Sequence, residues 1–534
     1  CYRNHANLPS LLRLYSNYVL SHHCFLLDNS LTLNKLLREA PDSIQVLLEQ
    51  WRDRQVLLAG NYARQDGIGH EIERLEEESR ILEKRILQQL PSIAAARQFV
   101  TWTDVQKQLK AGETAIEFVQ FRYHNNKLES TDSVFICALL IRPDEAHPRF
   151  IPLFEKKELE SLLNRHTERG AGFANYLYAP VAQMPSEKSL YEMIWQPLEK
   201  ALTGVKTVFF SPVGLLHRLN LNAVAIPRTT EKLSDRYRLI SLGSTRQLVA
   251  APSTIVAATA ASPNATVIGG IRYDMDSTAI RKANETILQK RGLEDLPFNQ
   301  ADSSRSNPEW KFLPWTAVEA LSVAEILKAN GIQVQNRQGY AATEAFFKSL
   351  GLPGGEPSPR ILHVATHGYF FPDPRQQLPL KQAPPTRDEP VYKVSKHPMI
   401  RSGLILAGAN QVWINGKSFD DVEDGVLTAY EISQLDLSNT ELVVLSACET
   451  GLGDIDGNEG VYGLQRAFKI AGAKYLIMSL WQVPDYATQE LMTLFYALWL
   501  EDKMTIPDAF HAAQKQLRKK FPQPSDWAGF VLVE

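Results

Sequence analysis

The sequence predicts an α/β protein: a mostly parallel sheet flanked by helices, built in two halves and preceded by an α-helical region. Three observations carry this. Short apolar runs rich in Val, Ile and Leu recur from Thr114 onward. Segments of helical spacing separate them, the pattern of strands joined by crossover helices. Before that point the chain shows helical periodicity alone. The expected divisions are 1–104 as the end of helical repeats or a helical hairpin, 105–258 as a first α/β half, and 259–534 as a second half that carries the chemistry.

In the first region Ile68, Ile72, Leu75, Leu82 and Ile86 recur at a spacing near 3.5, interrupted by Ser79. This predicts a long amphipathic helix or hairpin ending near Leu90-Pro91, docked on its own domain rather than forming a coiled coil, which needs more heptads. In the first half, strands are expected at 115–119, 134–141 and 205–210, and helices at 157–165 and 190–202. In the second, strands are expected at 264–270, 333–335, 360–366, 403–407, 441–447 and 475–479. Helices fall at about 317–330, after the cap Thr343, at 461–471 and at 486–500. Segments 370–400 and 412–425 read as long loops.

Composition narrows the class. A chain of 534 residues has room for two or three domains. A net charge of −3 argues against a nucleic-acid-binding surface. No apolar run reaches about 18 residues, so no membrane partner is expected. Cys1, Cys24, Cys137 and Cys448 stand far apart with no CxxC pair, which fits a reducing cytoplasm rather than a disulfide framework. The chain starts at Cys1 rather than Met, as a fragment or processed product would.

Chemistry concentrates at two strand ends. The apolar run Glu441-Leu-Val-Val-Leu445 leads into Ser446-Ala447-Cys448-Glu449-Thr450-Gly451, and the run Ile361-Leu-His-Val-Ala365 leads into Thr366-His367-Gly368. In an open parallel sheet, ligands bind beyond the carboxyl ends of the strands. There an imidazole at His367 can take the proton of the Cys448 thiol, and later protonate a leaving amine. The N–H groups of Gly368 and Cys448 can hold an oxyanion. The competing reading makes Cys448 a small core residue. His363 points to the same side of its strand as His367, but His-Val-Ala-Thr-His lacks the Glu of HExxH, so no metal is expected. The turn 451–460 has its Gly at the wrong position for a calcium loop. No phosphate-binding or serine-elbow motif occurs, and no cofactor is expected.

Five segments in order carry a family resemblance: 363–368, Asp424-Gly-Val-Leu-Thr-Ala-Tyr-Glu-Ile432, 445–451, 460–472, and Ser479-Leu-Trp-Gln-Val-Pro-Asp-Tyr-Ala-Thr488. With Ala111-Gly-Glu-Thr-Ala-Ile-Glu-Phe118 as its start, the chain resembles the CHAT domain, a caspase-like protease domain of clan CD related to separase. The resemblance implies a cysteine endopeptidase with His367 and Cys448 as its dyad. It implies a first half of pseudo-protease type with His217 structural, and tetratricopeptide-like repeats upstream. It also implies a protein substrate and a sensor or activating partner, in bacterial defence or cell death. Ser-Ala-Cys-Glu-Thr-Gly departs from the caspase string Gln-Ala-Cys-x-Gly, so a preference for Asp is not carried over. Trp481 and Asp485 fall where clan CD enzymes line the P1 pocket. A carboxylate there implies Arg or Lys at P1, while the alternative makes Asp485 a helix cap. A catalytically idle CHAT scaffold and a small-molecule thiol hydrolase are the competing functions.

Overall fold

The computed structural model describes residues 9–24, 27, 42–62, 69–89, 99–125, 127, 129–164, 171–179, 188–249, 264–291, 309–352, 354–374, 391–415, 423–447, 450–456 and 459–534.

The first sheet holds β1 (Glu113–His124), β2 (Ser130–Ile141), β3 (Arg149–Glu155), β4 (Thr207–Ser211) and β5 (Arg238–Ser241), in the order β3-β2-β1-β4-β5. It is mixed. β1, β4 and β5 run parallel, and β1, β2 and β3 form an antiparallel meander. Both faces of its centre are covered. Ile116, Phe118, Ile136, Ala138 and Leu140 enter the main core. Their period-2 neighbours Val119, Cys137 and Leu139 meet Val19 of the helix Pro9–His22 on the other face. The helix expected at 190–202 is a π turn, Tyr191–Trp195, followed by a 3₁₀ turn, Gln196–Leu198.

The second sheet is β6 (Asn264–Ile271), β7 (Gln333–Gly339), β8 (Ile361–Ala365), β12 (Leu442–Ser446), β15 (Tyr475–Ser479) and β16 (Phe530–Val533), ordered β16-β15-β12-β8-β6-β7. It is parallel except for β16 at one edge. Alternation again sorts the side chains. Leu442 and Val444 enter the core shared with the first half, and Val443 and Leu445 enter a second core on the opposite face. The helix Pro314–Ala329 crosses close over β6. A Cβ on Gly269 would lie 2.5 Å from the Thr316 carbonyl oxygen, so only glycine permits this approach. The cap Thr343 accepts from the Phe346 N–H, as expected.

Three features were not read from the sequence. His367 opens a new strand, β9 (His367–Phe370), which joins β10 (Ser402–Ile405) and β11 (Val426–Thr428) in an antiparallel sheet ordered β11-β10-β9. The polar turn after Cys448 forms a hairpin of β13 (Gly453–Asp456) and β14 (Gly460–Gly463). Its Asp454 is gripped by the buried guanidinium of Arg401 through both oxygens, which ties the hairpin to the start of β10. The helix Ile506–Lys520 and β16 close the chain.

The helices Asp42–Tyr62 and Gly69–Gln89 lie side by side, with Arg54 Nε donating to Glu78 at 2.7 Å and Gln55 to the buried Ser79. Ser79, which breaks the apolar stripe, therefore has a structural partner. Tyr430 Oη donates to Gln55 Oε1 at 2.7 Å and fastens this pair to the second half. Among the described residues no helix is long and apolar enough to cross a membrane.

Candidate active site

β8 and β12 are hydrogen-bonded neighbours, with Ala365 opposite Ser446 and the Thr366 N–H donating to the Ser446 carbonyl at 3.2 Å. The sheet thus brings the two strand ends together. His367 lies two residues beyond Ala365, and the chain leaves β12 through Ala447 at the same edge.

Cys448 and Glu449 lie outside the described residues. The chain on either side of them is tied to the end of β15. Ser479 Oγ donates to the Ala447 carbonyl, the Ser479 N–H donates to Thr450 Oγ1 at 3.0 Å, and the Gly451 N–H donates to the Ser479 carbonyl at 2.7 Å.

The His367 ring is clamped. It packs between Tyr273 and Trp310, with centroids at 5.0 and 4.9 Å. Its Nε2 lies 2.8 Å from the Lys311 carbonyl oxygen. A carbonyl only accepts, so Nε2 carries the proton and a neutral ring keeps its lone pair on Nδ1. The Lys311 carbonyl is itself positioned. Asn410 Oδ1 accepts the Trp310 N–H at 2.8 Å, and Asn410 Nδ2 donates to the Trp310 carbonyl at 3.0 Å. Tyr273 Oη is 3.0 Å from Thr366 Oγ1. Burial holds the His367 pKa below its ordinary value, opposed by the Lys311 carbonyl and the charge of Asp485. Neutral imidazole is therefore the resting form at neutral pH.

Gly368 sits opposite Leu404. Pairs in an antiparallel ladder alternate between bonded and non-bonded. The Phe371 N–H donates to Arg401 and the Leu406 N–H to Gly425, so by alternation Leu404 bonds to β11 and the Gly368–Leu404 pair is non-bonded. The Gly368 N–H therefore points off the β9 edge, away from β10.

Asp485 is the first residue of the helix Asp485–Leu500, with Pro484 at the N-cap position, so its carboxylate is not the cap. Burial and the nearby Glu319 raise its pKa, and His367 lowers it. Trp481, expected to meet substrate, does not: it is 1% exposed, packed 5.7 Å from Tyr178, with its indole N–H directed at Ser525. It fills the seam between the halves. His363 is a buried strand residue, with Nδ1 3.3 Å from Tyr496 Oη. His217 is held neutral by burial, its pKa pushed down to about 3.

Sequence reasoning missed Tyr273, Trp310, Lys311, Glu319 and Asn410. A main-chain carbonyl leaves no mark in a sequence. Tyr273 had a faint one, since it follows the carboxyl end of β6, where site residues gather.

Similarities to known proteins are of three kinds. Human tetratricopeptide repeat protein 28 is 35% identical over 124 residues, 22% of this chain and 5% of that protein. Its mouse counterpart is 35% identical over 111 residues, 20% and 4% of the two chains. The chain thus spans about a twentieth of the curated relatives it matches. Among solved structures, the Arg-specific cysteine proteinase gingipain R aligns at 10% identity and TM-score 0.33, covering 67% of each chain. The Saccharomyces cerevisiae separase–securin complex aligns at 9% identity and TM-score 0.36, covering 85% of this chain and 32% of that one. The profile of the CHAT domain matches residues 185–534, which take in β8, β12 and both strand ends, and the chain belongs to the CHAT domain family.

Proposed function

We propose that this chain is a cysteine endopeptidase that cleaves a protein substrate through an acyl-enzyme formed on Cys448. One observation carries the reading: an imidazole clamped with its Nδ1 lone pair unpledged stands at the end of β8, beside the strand that runs into Cys448. In this mechanism Nδ1 takes the thiol proton, and the thiolate attacks the scissile carbonyl. The Gly368 N–H, with that of Cys448, stabilises the oxyanion. The imidazolium, steadied by the Lys311 carbonyl and Asp485, gives its proton to the leaving amine. Water then attacks the thioester, with His367 again as base, and releases the acid.

Among the described residues β9 has no strand on its outer edge, which favours a peptide over a small molecule, because an extended segment can add there as a strand. Asp485, half-buried near His367, supports a preference for a basic P1 residue. Control by an upstream sensor or partner belongs to the same reading, since the helices before residue 105 dock on both halves. A setting in bacterial defence or cell death rests on the family resemblance alone.

The test is a proteome-wide cleavage comparison of the full chain with Cys448→Ala and His367→Ala. Thiol-dependent cleavage by the wild type, reduced at least about a thousandfold in both variants, is expected. Equal cleavage by Cys448→Ala rejects the mechanism. A wild type that cleaves nothing even in extract, while still binding partners, replaces it with the idle scaffold.

A further inference from the structure

The outer edges of the two large sheets are finished in different ways. β3, at one end of the first sheet, carries Pro152, and Leu153 bulges between Pro152 and Phe154, which pair with the adjacent Cys137 and Ile136. Proline and bulges both blunt an edge against pairing. The opposite edge, β5, meets β16 of the second sheet, where the Glu534 N–H donates to the Ser241 carbonyl at 3.2 Å. β7, at the far end of the second sheet, has neither device. Gln333-Val-Gln-Asn-Arg-Gln-Gly339 runs unbulged beside β6, with no Pro and no Lys, and is half-buried beyond the exposed Gln333.

The main chain of β7 is unanswered on its outer side. The Gly339 carbonyl accepts the Arg272 N–H from the end of β6, so Gly339 faces β6. Main-chain groups alternate along a strand, which turns Val334, Asn336 and Gln338 outward. The Ala341 N–H donates to the Gln338 carbonyl at 3.0 Å. The N–H and carbonyl of Val334 and Asn336 and the N–H of Gln338 have no main-chain partner among the described residues. A row of such groups selects its occupant by chemistry: another extended strand.

The layers beside β7 give this edge depth. The helix Pro314–Ala329 packs over one face and leaves Val318 43% and Leu321 50% exposed. On the other face the Arg337 guanidinium lies over the Phe346 ring, 4.3 Å from its centroid. Seven residues at about 3.3 Å each make an edge of roughly 23 Å, and a helix on either face makes it about 30 Å deep. That is on the order of 700 Å² per partner, close to the ~800 Å² of a standard stable interface.

We infer that β7 is the interaction surface for a second copy of this chain, pairing antiparallel with its own counterpart about a twofold axis at Asn336. The strand is complementary to itself. In this register Asn336 exchanges both of its main-chain bonds with its own copy, and Val334 exchanges both of its bonds with Gln338 of the other chain. Every outward group is then met, since the Gln338 carbonyl has a second lone pair. Arg337 falls opposite Gln335. An axis at Arg337 would instead set two guanidiniums against each other, and like charges directly opposite disfavour that register. The remaining side chains are mostly Gln and Asn, whose amides both donate and accept and so suit identical partners across an axis.

Sedimentation of the full chain over a concentration series tests this. The wild type is expected to pass from monomer to dimer between about 1 and 100 µM. Asn336→Pro removes a donor that the monomer does not use and blocks the axis. The dimer should weaken at least about tenfold, with the melting temperature of the dilute monomer unchanged. Two substitutions beside the axis should act in opposite directions. Gln335→Lys meets Arg337 of the other chain with a like charge and should weaken the dimer about fivefold, whereas Gln335→Glu meets it with a carboxylate and should tighten the dimer by about as much. General damage to β7 would weaken the dimer in both. A wild type that stays monomeric at about 100 µM, a dimer that none of the substitutions moves, or one that both Gln335 variants weaken overturns the proposal. So does a monomer whose Val334 and Asn336 amides gain protection from hydrogen exchange only in cell extract, because a foreign strand then occupies the edge.

Discussion

Each half of the molecule buries a glutamate beside a histidine, and the two pairs are finished differently. In the first half Glu117 is 1% exposed and fully answered. His23 Nδ1 donates to Oε2 at 2.6 Å, while Ser244 Oγ, the Thr245 N–H and Thr245 Oγ1 all donate to Oε1. In the second half Glu319 accepts one hydrogen bond, from Ser446 Oγ to Oε2, and its buried Oε1 lies 3.0 Å from His363 Nε2. The same two residue types thus make a richly bonded clamp in one place and a sparsely bonded pair in the other.

The sharpest way to break this comparison is to neutralise each carboxylate in turn. Glu117→Gln leaves His23 and the Thr245 donors facing an amide, and breaking a buried pair of this kind costs about 3–5 kcal/mol. Glu319→Gln disturbs one hydrogen bond and the approach of His363, against four hydrogen bonds at Glu117, and should cost less. Urea midpoints of the two variants decide it, and equal losses would erase the distinction. Acid should act on the first pair as well. Burial raises the Glu117 pKa, but His23 and the Thr245 bonds outweigh this and hold it below the ordinary carboxyl value. Its contribution is therefore fully present above about pH 4.3, and is lost as pH falls through the depressed folded value.

A second contrast lies between what the sequence makes legible and what only the fold supplies. The run 441–446 and the run 361–365 read as strands because they are apolar on both faces, as buried parallel strands are. Their ends then place His367 and the approach to Cys448 by a general rule of parallel sheets. β9 was missed because a single residue, the β-branched Thr366, bends the chain between Ala365 at the end of β8 and His367 at the start of β9, with no Gly, Pro or Asn to mark the break. The antiparallel part of the first sheet was legible in principle, since the links between β1, β2 and β3 are too short for parallel crossovers. Trp481 was placed in a pocket because an aromatic after a strand end looks like a lining residue, whereas here its area seals two halves together. Glu319 gave no signal, because on a helix among Ala320, Val323 and Ala324 it reads as an ordinary polar position. Its meaning appears only when the helix lies across Ser446.

The two sides of the site can also be set against each other. The histidine side is held by main-chain grips, so loosening one should reduce turnover without touching stability much. Asn410→Ala frees the Trp310 main chain and with it the Lys311 carbonyl that orients His367. Misplacement by about 1 Å costs on the order of a hundredfold, so kcat should fall by up to that factor with KM little changed. A matched fall in melting temperature and KM would instead mark Asn410 as a packing residue. The comparable change on the pocket side, Asp485→Asn, should act mainly on the response to Arg at P1.

Asp485 is the point where the two sides meet, and it offers the smallest and most discriminating effect. Its charge works against the burial that lowers the His367 pKa. Since His367 must be neutral to act as base, its pKa sets the acidic limb of kcat/KM, and that limb should lie below the ordinary histidine value of about 6.5. Removing the charge in Asp485→Asn lowers the His367 pKa further, so the limb should move to still lower pH for a P1-Leu substrate, which does not use the pocket. For a P1-Arg substrate a second acid loss overlies it. Asp485 itself has a raised pKa, and its protonation as pH falls removes the acceptor for a basic P1 side chain, so the Arg-to-Leu ratio of the wild type should fall with pH while that of Asp485→Asn stays flat. A ratio that varies equally with pH in both proteins would mean that Asp485 touches the base but not the substrate.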